Sequence, residues 1–495
     1  MNWIVLFFTL GVVLADPNRN GNKSYKNFKV FDVTGNNLEA LRDFRKHIET
    51  EEAHGYDKSV FVVGGRGRLQ VLLHEARLET FHAALQQGNL TATLVYEDFS
   101  EVIKQEKALS GRSRNFGWKA YYDINDIYKY LRNMSKSYPE WASTVVGGRS
   151  YEGREILGLR IDTPRKKEQG KPAILIESGI HAREWITPAT TTYFINQLLT
   201  SNDPNITALR DSFDWHIFPS VNPDGYHYSY YIDRMWRKTR SRSPNGCFGA
   251  DPNRNWDHNW NTAGSTSNPC DYQTYAGSKP FSEVETRTLA AYIAGVENLQ
   301  GYLGFHADAQ MLLVPYSDSK EHCDNYDDLI QVGKTSLDYG YRVNKEKYEG
   351  PGTAAELLYP ASGGSMDWVR QALGTPLVYT YELRGYYFSW PPSRIYEQGD
   401  EVTQMILGLA VEAGRLGDKL GLTENNVAVV VVMVVVKKLV QQTHRIGSGI
   451  AGRKRAPYCY HFLAKLGWTE ETRLNPSTIG NGSLLPSATI LTSQH

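Results

Sequence analysis

The stretch Ala-Ile-Leu-Ile-Glu-Ser-Gly-Ile-His-Ala-Arg-Glu-Trp, residues 173–185, decides the fold and anticipates the chemistry. It opens with four consecutive apolar residues, which is typical of a short buried strand. His181 and Glu184 follow three residues apart, so we expect the strand to deliver an imidazole and a carboxylate to a shared site at its end. The spacing alone is a weak signal, because a surface helix that pairs His with Glu produces it by chance.

A second histidine completes a set of metal ligands. His306 follows the apolar run 302–305 far downstream, and it is the candidate for the ligand that His181 and Glu184 lack. Two histidines and one glutamate around Zn²⁺, with the fourth position left to water, are typical of a hydrolytic zinc site. We therefore predict one zinc ion per chain, held by His181, Glu184 and His306.

The surrounding sequence predicts an α/β fold, a mixed sheet sandwiched by helices. From residue 118 to about residue 414, helical patterns alternate with apolar strand-like runs. The predicted helices cover residues 124–138, 188–199, 283–296, 327–339 and 402–416, and the predicted strands cover 156–159, 173–177, 215–221, 302–305 and 377–381. Active sites of such sheets gather where strands end. His181, His306 and Glu382 each follow one of the apolar runs, so they are predicted to meet at one edge of the sheet.

A smaller unit precedes this domain. Residues 26–98 follow the order strand, helix, strand, strand, helix and strand, which matches the ferredoxin-like α+β motif. A polar linker, residues 104–114, comes next and ends with Arg112 and Arg114. Such an exposed basic stretch is a natural site for cleavage by a trypsin-like protease, although its composition fits a plain interdomain linker equally well.

The two ends of the chain carry different signals. Residues 1–15 contain an apolar run that is too short to span a bilayer and ends on a small residue, as in a cleaved secretory signal peptide. In a secreted protein, Cys247 and Cys270, which flank a Gly/Asn/Ser-rich loop, are expected to form a disulfide. The tail, residues 416–495, holds the apolar run 427–436; its composition leaves open a buried strand, a disordered appendage or an incorrect gene end.

The overall charge argues against some classes of partner. Lys plus Arg and Asp plus Glu both number 54, so nothing indicates binding to nucleic acid or to an anionic membrane. Among the cysteines, Cys323 and Cys459 have no predicted partner. We expect neither nucleic acid nor a membrane as a partner.

A series of motifs runs along the large domain. They are His181-x-x-Glu184, Asn222-Pro-Asp-Gly-Tyr226, Arg234-Met-Trp-Arg-Lys-Thr-Arg240, Asp251-Pro-Asn-Arg-Asn-Trp256, His306, Ala361-Ser-Gly-Gly-Ser365 and Tyr381-Glu-Leu-Arg384. In this order and spacing they resemble the funnelin zinc metallocarboxypeptidases, the pancreatic and digestive carboxypeptidase A/B group. The resemblance covers residues 26–415. Together with the signals at the two ends of the chain, it predicts a signal peptide (1–15), an activation prodomain with its cleavage linker (16–114), a catalytic domain (115–415) and an atypical tail (416–495) that has no counterpart in the family.

The resemblance implies catalytic roles for specific residues. Glu382 would take a proton from the zinc-bound water and pass it to the leaving amine. Arg237 would stabilise the oxyanion that develops on the scissile carbonyl. Asp251 would hold the far nitrogen of His181 and so fix its tautomer.

The resemblance also implies how substrate is bound. Asn253, Arg254 and Tyr359 would hold the C-terminal carboxylate of a peptide or protein, because a guanidinium fork matches a carboxylate. Arg183 would contact substrate one position further out. Met366 would lie at the base of the side-chain pocket and favour aromatic or large aliphatic C-terminal residues, which is A-type specificity.

Several alternatives stay open at this stage. Asp367 adjoins Met366, so a shift of one residue in the alignment would predict B-type specificity for C-terminal Lys or Arg instead. Asp308 departs from the family pattern after His306, which leaves preference at the outer subsites open. A non-catalytic peptide-binding relative is the rival function. The resemblance further implies a secreted monomer, made as a zymogen that a trypsin-like protease activates near Arg112 or Arg114.

Overall fold

A computed structural model describes residues 23–35, 37–50, 60–63, 67–108, 116–164 and 171–417. Three predictions lie wholly or mainly outside these residues: the signal peptide, the cleavage linker with Arg112 and Arg114, and the tail with Cys459. The domain boundaries at these points therefore stay predictions.

The first described part is a small antiparallel sheet with helices. Within the described ranges it has four strands in the order β2-β3-β1-β4, so the predicted strand and helix order of the ferredoxin-like motif is confirmed. Its elements are β1 (Phe28–Thr34), α1 (Leu38–Thr50), β2 (Val60–Val63), β3 (Arg68–His74), α2 (Leu78–Gly88), β4 (Thr91–Tyr96) and α3 (Phe99–Lys107). Asn37 starts α1 by accepting a hydrogen bond from the Glu39 N–H at 2.9 Å, as a good N-cap does.

Helix α3 differs from the prediction, which placed the linker from residue 104 onward. Asp98 caps the helix by accepting from the Ser100 N–H at 2.8 Å, and Phe99 is fully buried. The anchored first turn carries the helix through Lys104 to Lys107, so the linker begins later than its polar composition indicated.

The large domain is built on a mixed sheet, as predicted. In the described part of the chain this sheet has eight strands in the order β11-β10-β12-β9-β7-β8-β6-β5. They are β5 (Ala142–Arg149), β6 (Glu155–Ile161), β7 (Ala173–Ser178), β8 (Asp214–Phe218), β9 (Leu299–Ala307), β10 (Met311–Val314), β11 (Glu349–Thr353) and β12 (Leu377–Leu383). The central strands β12, β9, β7 and β8 run parallel. Strand β6 pairs antiparallel with both β5 and β8, whereas β10 pairs antiparallel with β12 and parallel with β11. Every residue of β7 is buried, as expected for a parallel strand covered on both faces.

Helices cover both faces of this sheet. They are α4 (Ile124–Ser137), α5 (Ile186–Thr200), α6 (Pro204–Ser212), α7 (Pro223–Tyr231), α8 (Val284–Ala294), α9 (Tyr326–Asn344), α10 (Ala354–Leu357), α11 (Ser365–Leu373) and α12 (Ile395–Arg415). Alternate residues of β7 enter different cores: Ile174 and Ile176 pack with α5, α9 and α12, while Leu175 packs with α8 and α11. The predicted sandwich of helices around a mixed sheet is therefore confirmed.

Some elements were missed because their sequences lack a clear period. Helix α7 starts at Pro223, where Asn222 accepts a hydrogen bond from the Gly225 N–H at 3.0 Å. Its mixture of tyrosines and polar residues hides the amphipathic pattern. Strands β5, β10 and β11 and helices α6, α10 and α11 were also not predicted. His306 and Glu382 lie inside β9 and β12 rather than after them, because both strands extend beyond their apolar runs.

The cysteine prediction is confirmed by a disulfide between Cys247 and Cys270, whose Cα atoms are 5.2 Å apart. Cys323 is buried and forms no disulfide within the described residues. In the same residues we find no helix whose length and apolarity would let it cross a bilayer.

The small and large domains make intimate contact. Glu106 on α3 accepts two hydrogen bonds from Arg234, at 2.8 and 2.9 Å, and both side chains are almost fully buried. Next to this ion pair, an apolar cluster joins the two domains. It includes Tyr25, Phe28 and Phe99 from the small domain and Tyr387 and Phe388 from the large domain.

A glycine in β6 provides a test of the sheet packing. A Cβ at Gly158 would lie 2.8 Å from the Ile217 carbonyl oxygen and 2.7 Å from Phe218 on β8. Because backbone must shift to admit it, Gly158→Ala should cost about 1–3 kcal/mol of stability in denaturant unfolding. Gly117→Ala is the matched control, since a Cβ there meets nothing within 4 Å. Equal stability of the two variants would contradict the packing described here.

Candidate active site

Three buried side chains converge at one edge of the large sheet. His181 Nδ1 lies 2.8 Å from Glu184 Oε1 and 3.2 Å from His306 Nδ1, and His306 Nδ1 lies 3.6 Å from Glu184 Oε2. The chain leaves β7 through Gly179, whose φ of 64° suits glycine, and then carries His181 and Glu184 before α5 begins. His306 is the penultimate residue of β9, which pairs with β7. The geometry thus brings together the three predicted metal ligands.

Asp251 orients this group from behind. Its carboxylate accepts from His181 Nε2 at 3.2 Å and from the Asn253 N–H at 2.9 Å. Arg237 donates to it through Nε and Nη2, at 3.1 and 2.7 Å. Burial alone would raise the pKa of Asp251, but Arg237 and His181 hold that pKa well below its usual range. An ionised Asp251 places the His181 proton on Nε2 and leaves the lone pair of Nδ1 facing Glu184 and His306.

The donor set fits a zinc ion. Burial and the charge of Arg237 lower the pKa of both imidazoles, that of His306 to about 3, so both rings are neutral. Two neutral imidazoles and one carboxylate, with their ligand atoms within 4.8 Å of one another, are typical of zinc coordination. Without a cation, the facing nitrogen and oxygen atoms would present more acceptor lone pairs to one another than there are hydrogen-bond donors to fill them.

Glu382 stands beside this group on β12. Strands β9 and β12 are parallel and in register, so Glu382 lies opposite His306. Burial and the nearby Asp308 raise the pKa of Glu382 to about 8, against the opposing effect of Arg237 and Arg254. A nearby divalent cation would also lower it, which suits a group that exchanges a proton near neutral pH.

A set of polar groups forms one side of the cavity. Arg254 donates through Nε to the Gly264 carbonyl at 2.9 Å and through Nη1 to the Asn253 carbonyl at 2.8 Å, and its Nη2 has no hydrogen bond to any described residue. Asn253 Oδ1 accepts from the Ser365 N–H at 3.0 Å, while its side-chain nitrogen makes no hydrogen bond in the described part of the chain. Tyr359, at the rim, is 38% exposed.

Next to these groups lies an apolar pocket. Met366 is 4% exposed and receives a hydrogen bond on Sδ from the Thr380 hydroxyl at 3.4 Å. Met311, Leu313 and Ala354 also line the cavity. Asp367 does not line it and instead accepts from the Ser317 N–H and hydroxyl, at 3.0 and 3.2 Å.

A third wall contains Arg183, Asp308 and Phe388. The Arg183 guanidinium lies over the Phe388 ring, 3.9 Å from its centroid. The Phe388 N–H donates to Asp308 Oδ2 at 3.0 Å. Arg183 Nε, Arg183 Nη1 and Asp308 Oδ1 are buried and have no hydrogen-bond partner among the described residues.

The cavity of about 250 Å³ brings the predicted residues together. Ten of them line it: His181, Arg183, Glu184, Arg237, Asn253, Arg254, His306, Tyr359, Met366 and Glu382. Asp251 lies behind the cavity. Sequence reasoning missed Phe388, and it missed Arg45, Arg68 and Gln70 of the small domain, which line the same cavity. The three residues of the small domain carry no local signal, because only the docking of the two domains brings them there.

Comparisons with known proteins agree with this geometry. The family model described as zinc carboxypeptidase matches residues 127–405. A zinc carboxypeptidase of Simulium vittatum is 44% identical over 60% of this chain and 98% of its own length. Zinc carboxypeptidase A 1 of Anopheles gambiae is 34% identical over 83% of this chain and 94% of its own. The crystal structure of carboxypeptidase A from Helicoverpa armigera superposes with a TM-score of 0.69 at 29% identity, over 79% of this chain and 98% of that one. The chain therefore belongs to the zinc carboxypeptidase family, whose members are metallopeptidases that use a zinc ion.

Proposed function

We propose that this protein is a secreted exopeptidase of A-type specificity, made as a proenzyme and active as a monomer. The observation that carries the proposal is the position of Arg254 and Met366 in the cavity that also holds His181, Glu184 and His306. A carboxylate-binding group and an apolar pocket beside a candidate zinc site suit a peptide end with an apolar side chain.

The proposed chemistry assigns zinc to His181, Glu184 and His306. A zinc ion bound there supplies Lewis-acid polarisation of a carbonyl and an acidified water. Glu382 takes up a proton at its carboxylate and gives it to the leaving amine, which its raised pKa and burial support. Asp251 keeps the His181 proton on Nε2 throughout.

Arg237 is proposed to stabilise the developing oxyanion. Its Nε and Nη2 are engaged by Asp251, whereas Nη1 has no hydrogen bond among the described residues and lies 3.8 Å from Glu184 Oε1. A guanidinium held by two of its nitrogens presents the third in a fixed direction. Such a preorganised donor is worth more than a mobile one, because it needs no reorganisation during the reaction.

The carboxylate clamp makes the proposed activity an exopeptidase. The remaining Nη2 of Arg254, the amide of Asn253 and the Tyr359 hydroxyl would together hold a terminal carboxylate. A peptide that lacks a free carboxylate there would leave Arg254 unpaired in a buried site, which is costly.

A-type specificity is favoured over B-type by the contacts of Asp367. Its carboxylate is engaged by Ser317 and does not line the cavity, so it is unavailable to a basic side chain. Met366 and Thr380 present no charge. The rival function, a non-catalytic peptide binder, is disfavoured because ligands, general base and clamp are all present.

The proenzyme proposal rests on the small domain. Arg45, Arg68 and Gln70 line the cavity, and Gln70 Oε1 accepts from the Tyr387 N–H at 2.7 Å. The small domain therefore occupies the mouth that a peptide would enter. Secretion is proposed from the apolar run at residues 1–15.

The role of Glu382 is tested by Glu382→Gln. We expect kcat for release of Phe from a blocked dipeptide to fall about 10²–10⁴-fold, because the amide cannot take up the proton. Zinc content should stay near one per chain by elemental analysis, which separates lost catalysis from lost metal. Glu297→Gln, an exposed change before β9, should leave kcat unchanged. Undiminished activity of Glu382→Gln would refute the proposed mechanism.

The pocket assignment is tested by Met366→Asp. The wild type should prefer C-terminal Phe or Leu over Arg, and the variant should shift the kcat/KM ratio towards Arg by at least about tenfold, since a carboxylate at the base can pair with a guanidinium. The measurement compares Phe-ended and Arg-ended blocked dipeptides. A wild type that prefers Arg would overturn the A-type proposal.

The proenzyme proposal is tested with limited trypsin digestion. The intact chain should release little Phe, and cleavage in the linker should raise the rate. The double variant Arg112→Gln/Arg114→Gln should resist both cleavage and activation. An intact chain with the full rate of the digested protein would contradict the proposal.

A further inference from the structure

Three groups of the cavity already have a proposed partner in the substrate: the clamp takes the terminal carboxylate, the apolar pocket takes the terminal side chain, and the zinc site takes the scissile carbonyl. The upstream part of the peptide must therefore leave along the remaining wall. That wall contains Arg183, Asp308 and Phe388. Its chemistry decides which upstream residues are preferred.

Asp308 is held rigidly in this wall. Its Oδ2 accepts from the Phe388 N–H at 3.0 Å. Gly385 makes room for it, because a Cβ at Gly385 would lie 2.6 Å from the Asp308 Cβ. The hydrogen bond from Phe388 orients the side chain, and its second oxygen, Oδ1, is buried without a hydrogen-bond partner among the described residues. A buried acceptor without a partner is costly until a donor reaches it.

No described side chain neutralises this carboxylate by direct contact. Arg183 lies in the same wall, but within the described residues it forms no ion pair with Asp308 at 4 Å or less; its guanidinium instead covers the Phe388 ring. Arg68 also lines the cavity, but it belongs to the small domain and is paired with Asp32 through two hydrogen bonds at 2.6 and 3.1 Å. Loss of the small domain would remove Arg68 and leave Asp308 as an acidic group in the outer wall.

We propose that Asp308 makes this wall a cation-selecting subsite, so that the enzyme prefers peptides with Lys or Arg within the two residues before the scissile bond. This inference rests on the proposed function and extends it: the apolar pocket selects the residue that is released, and Asp308 selects what precedes it. A substrate ammonium or guanidinium would supply the donor that Oδ1 lacks, and its charge would face an acidic group in a partly desolvated cavity.

The test uses blocked tripeptides that end in Phe and carry Lys, Ala or Glu at either of the two upstream positions. The full chain is cut with trypsin, and the trypsin is then removed on an immobilised inhibitor. Processed Glu382→Gln serves as the blank, because residual trypsin would itself cleave after Lys. For at least one upstream position we expect kcat/KM to be about tenfold higher for Lys than for Glu, with Ala between them.

Asp308→Asn should reduce this ratio to within about twofold, because the amide keeps an acceptor for the Phe388 N–H but removes the charge. Glu297→Gln removes a carboxylate at the opposite end of β9 and should keep the full ratio. Each variant is judged by the ratio of its kcat/KM values for the Lys-containing and Glu-containing tripeptides, so a general loss of activity does not change the result. If Asp308→Asn does not fold, the wild-type ratio should still shrink as ionic strength rises from about 0.02 M to about 0.5 M.

The two proposals fail differently. No release of Phe from any tripeptide, with zinc bound, would overturn the proposed function. Release of Phe at rates that do not depend on upstream charge, or an unchanged ratio in Asp308→Asn, would overturn the subsite and leave the exopeptidase intact.

Discussion

The in-register pairing of three parallel strands is the constraint on which the site depends. Strand β9 lies between β7 and β12, with Phe305 opposite Ser178 and His306 opposite Glu382. A slip of one residue in either pairing would turn the side chains to the other face of the sheet. The register is protected because the strands are buried on both faces, so that a slip would also displace two apolar cores. Packing far from the cavity thus holds the residues of the candidate active site in position.

The same burial makes charged side chains costly at the site, and Asp251 compensates part of this desolvation cost. Taking ions out of water costs several kcal/mol for each, unless partners compensate. The Asp251 carboxylate accepts from His181, Asn253 and Arg237, and Arg237 in turn stands near Glu184. Removal of Arg237 would leave the charge of Asp251 buried without its counter-ion, and removal of Asp251 would do the same to Arg237. The carboxylate is therefore as necessary to the geometry as the ligand it orients.

The sequence was sufficient for the parts of the site that are local or that recur as ordered motifs. His181 and Glu184 are three residues apart beside a strand, and the sheet brings His306 to them as expected. The contrast between Met366 and Asp367 was harder, because spacing cannot say which of two adjacent helical residues faces the cavity; the hydrogen bonds of Asp367 to Ser317 decide it. Arg68 could not be predicted, since its place in the cavity depends on the contact between two domains. Irregular elements such as α7 were missed because their stability comes from capping and tertiary packing rather than from a period.

The contact between the domains explains why opening of the cavity in the proposed proenzyme would need proteolysis of the linker, and why that single cleavage would be enough. The interface combines an apolar cluster with the buried ion pair of Glu106 and Arg234, so it does not depend on the linker for its contacts. The linker instead sets the effective concentration of the small domain at the surface of the large domain, which for a short tether is of the order of millimolar. In the proposed proenzyme, a cut in the linker would leave every contact intact but replace that concentration with the much lower one in solution, so that dissociation would follow by mass action. As Glu106 departs, the charge of Arg234 would become exposed to water. Separating this ion pair would therefore cost less free energy than breaking it inside a closed core. An interface of this kind can hold a cavity closed before cleavage and still open it afterwards without any change of fold.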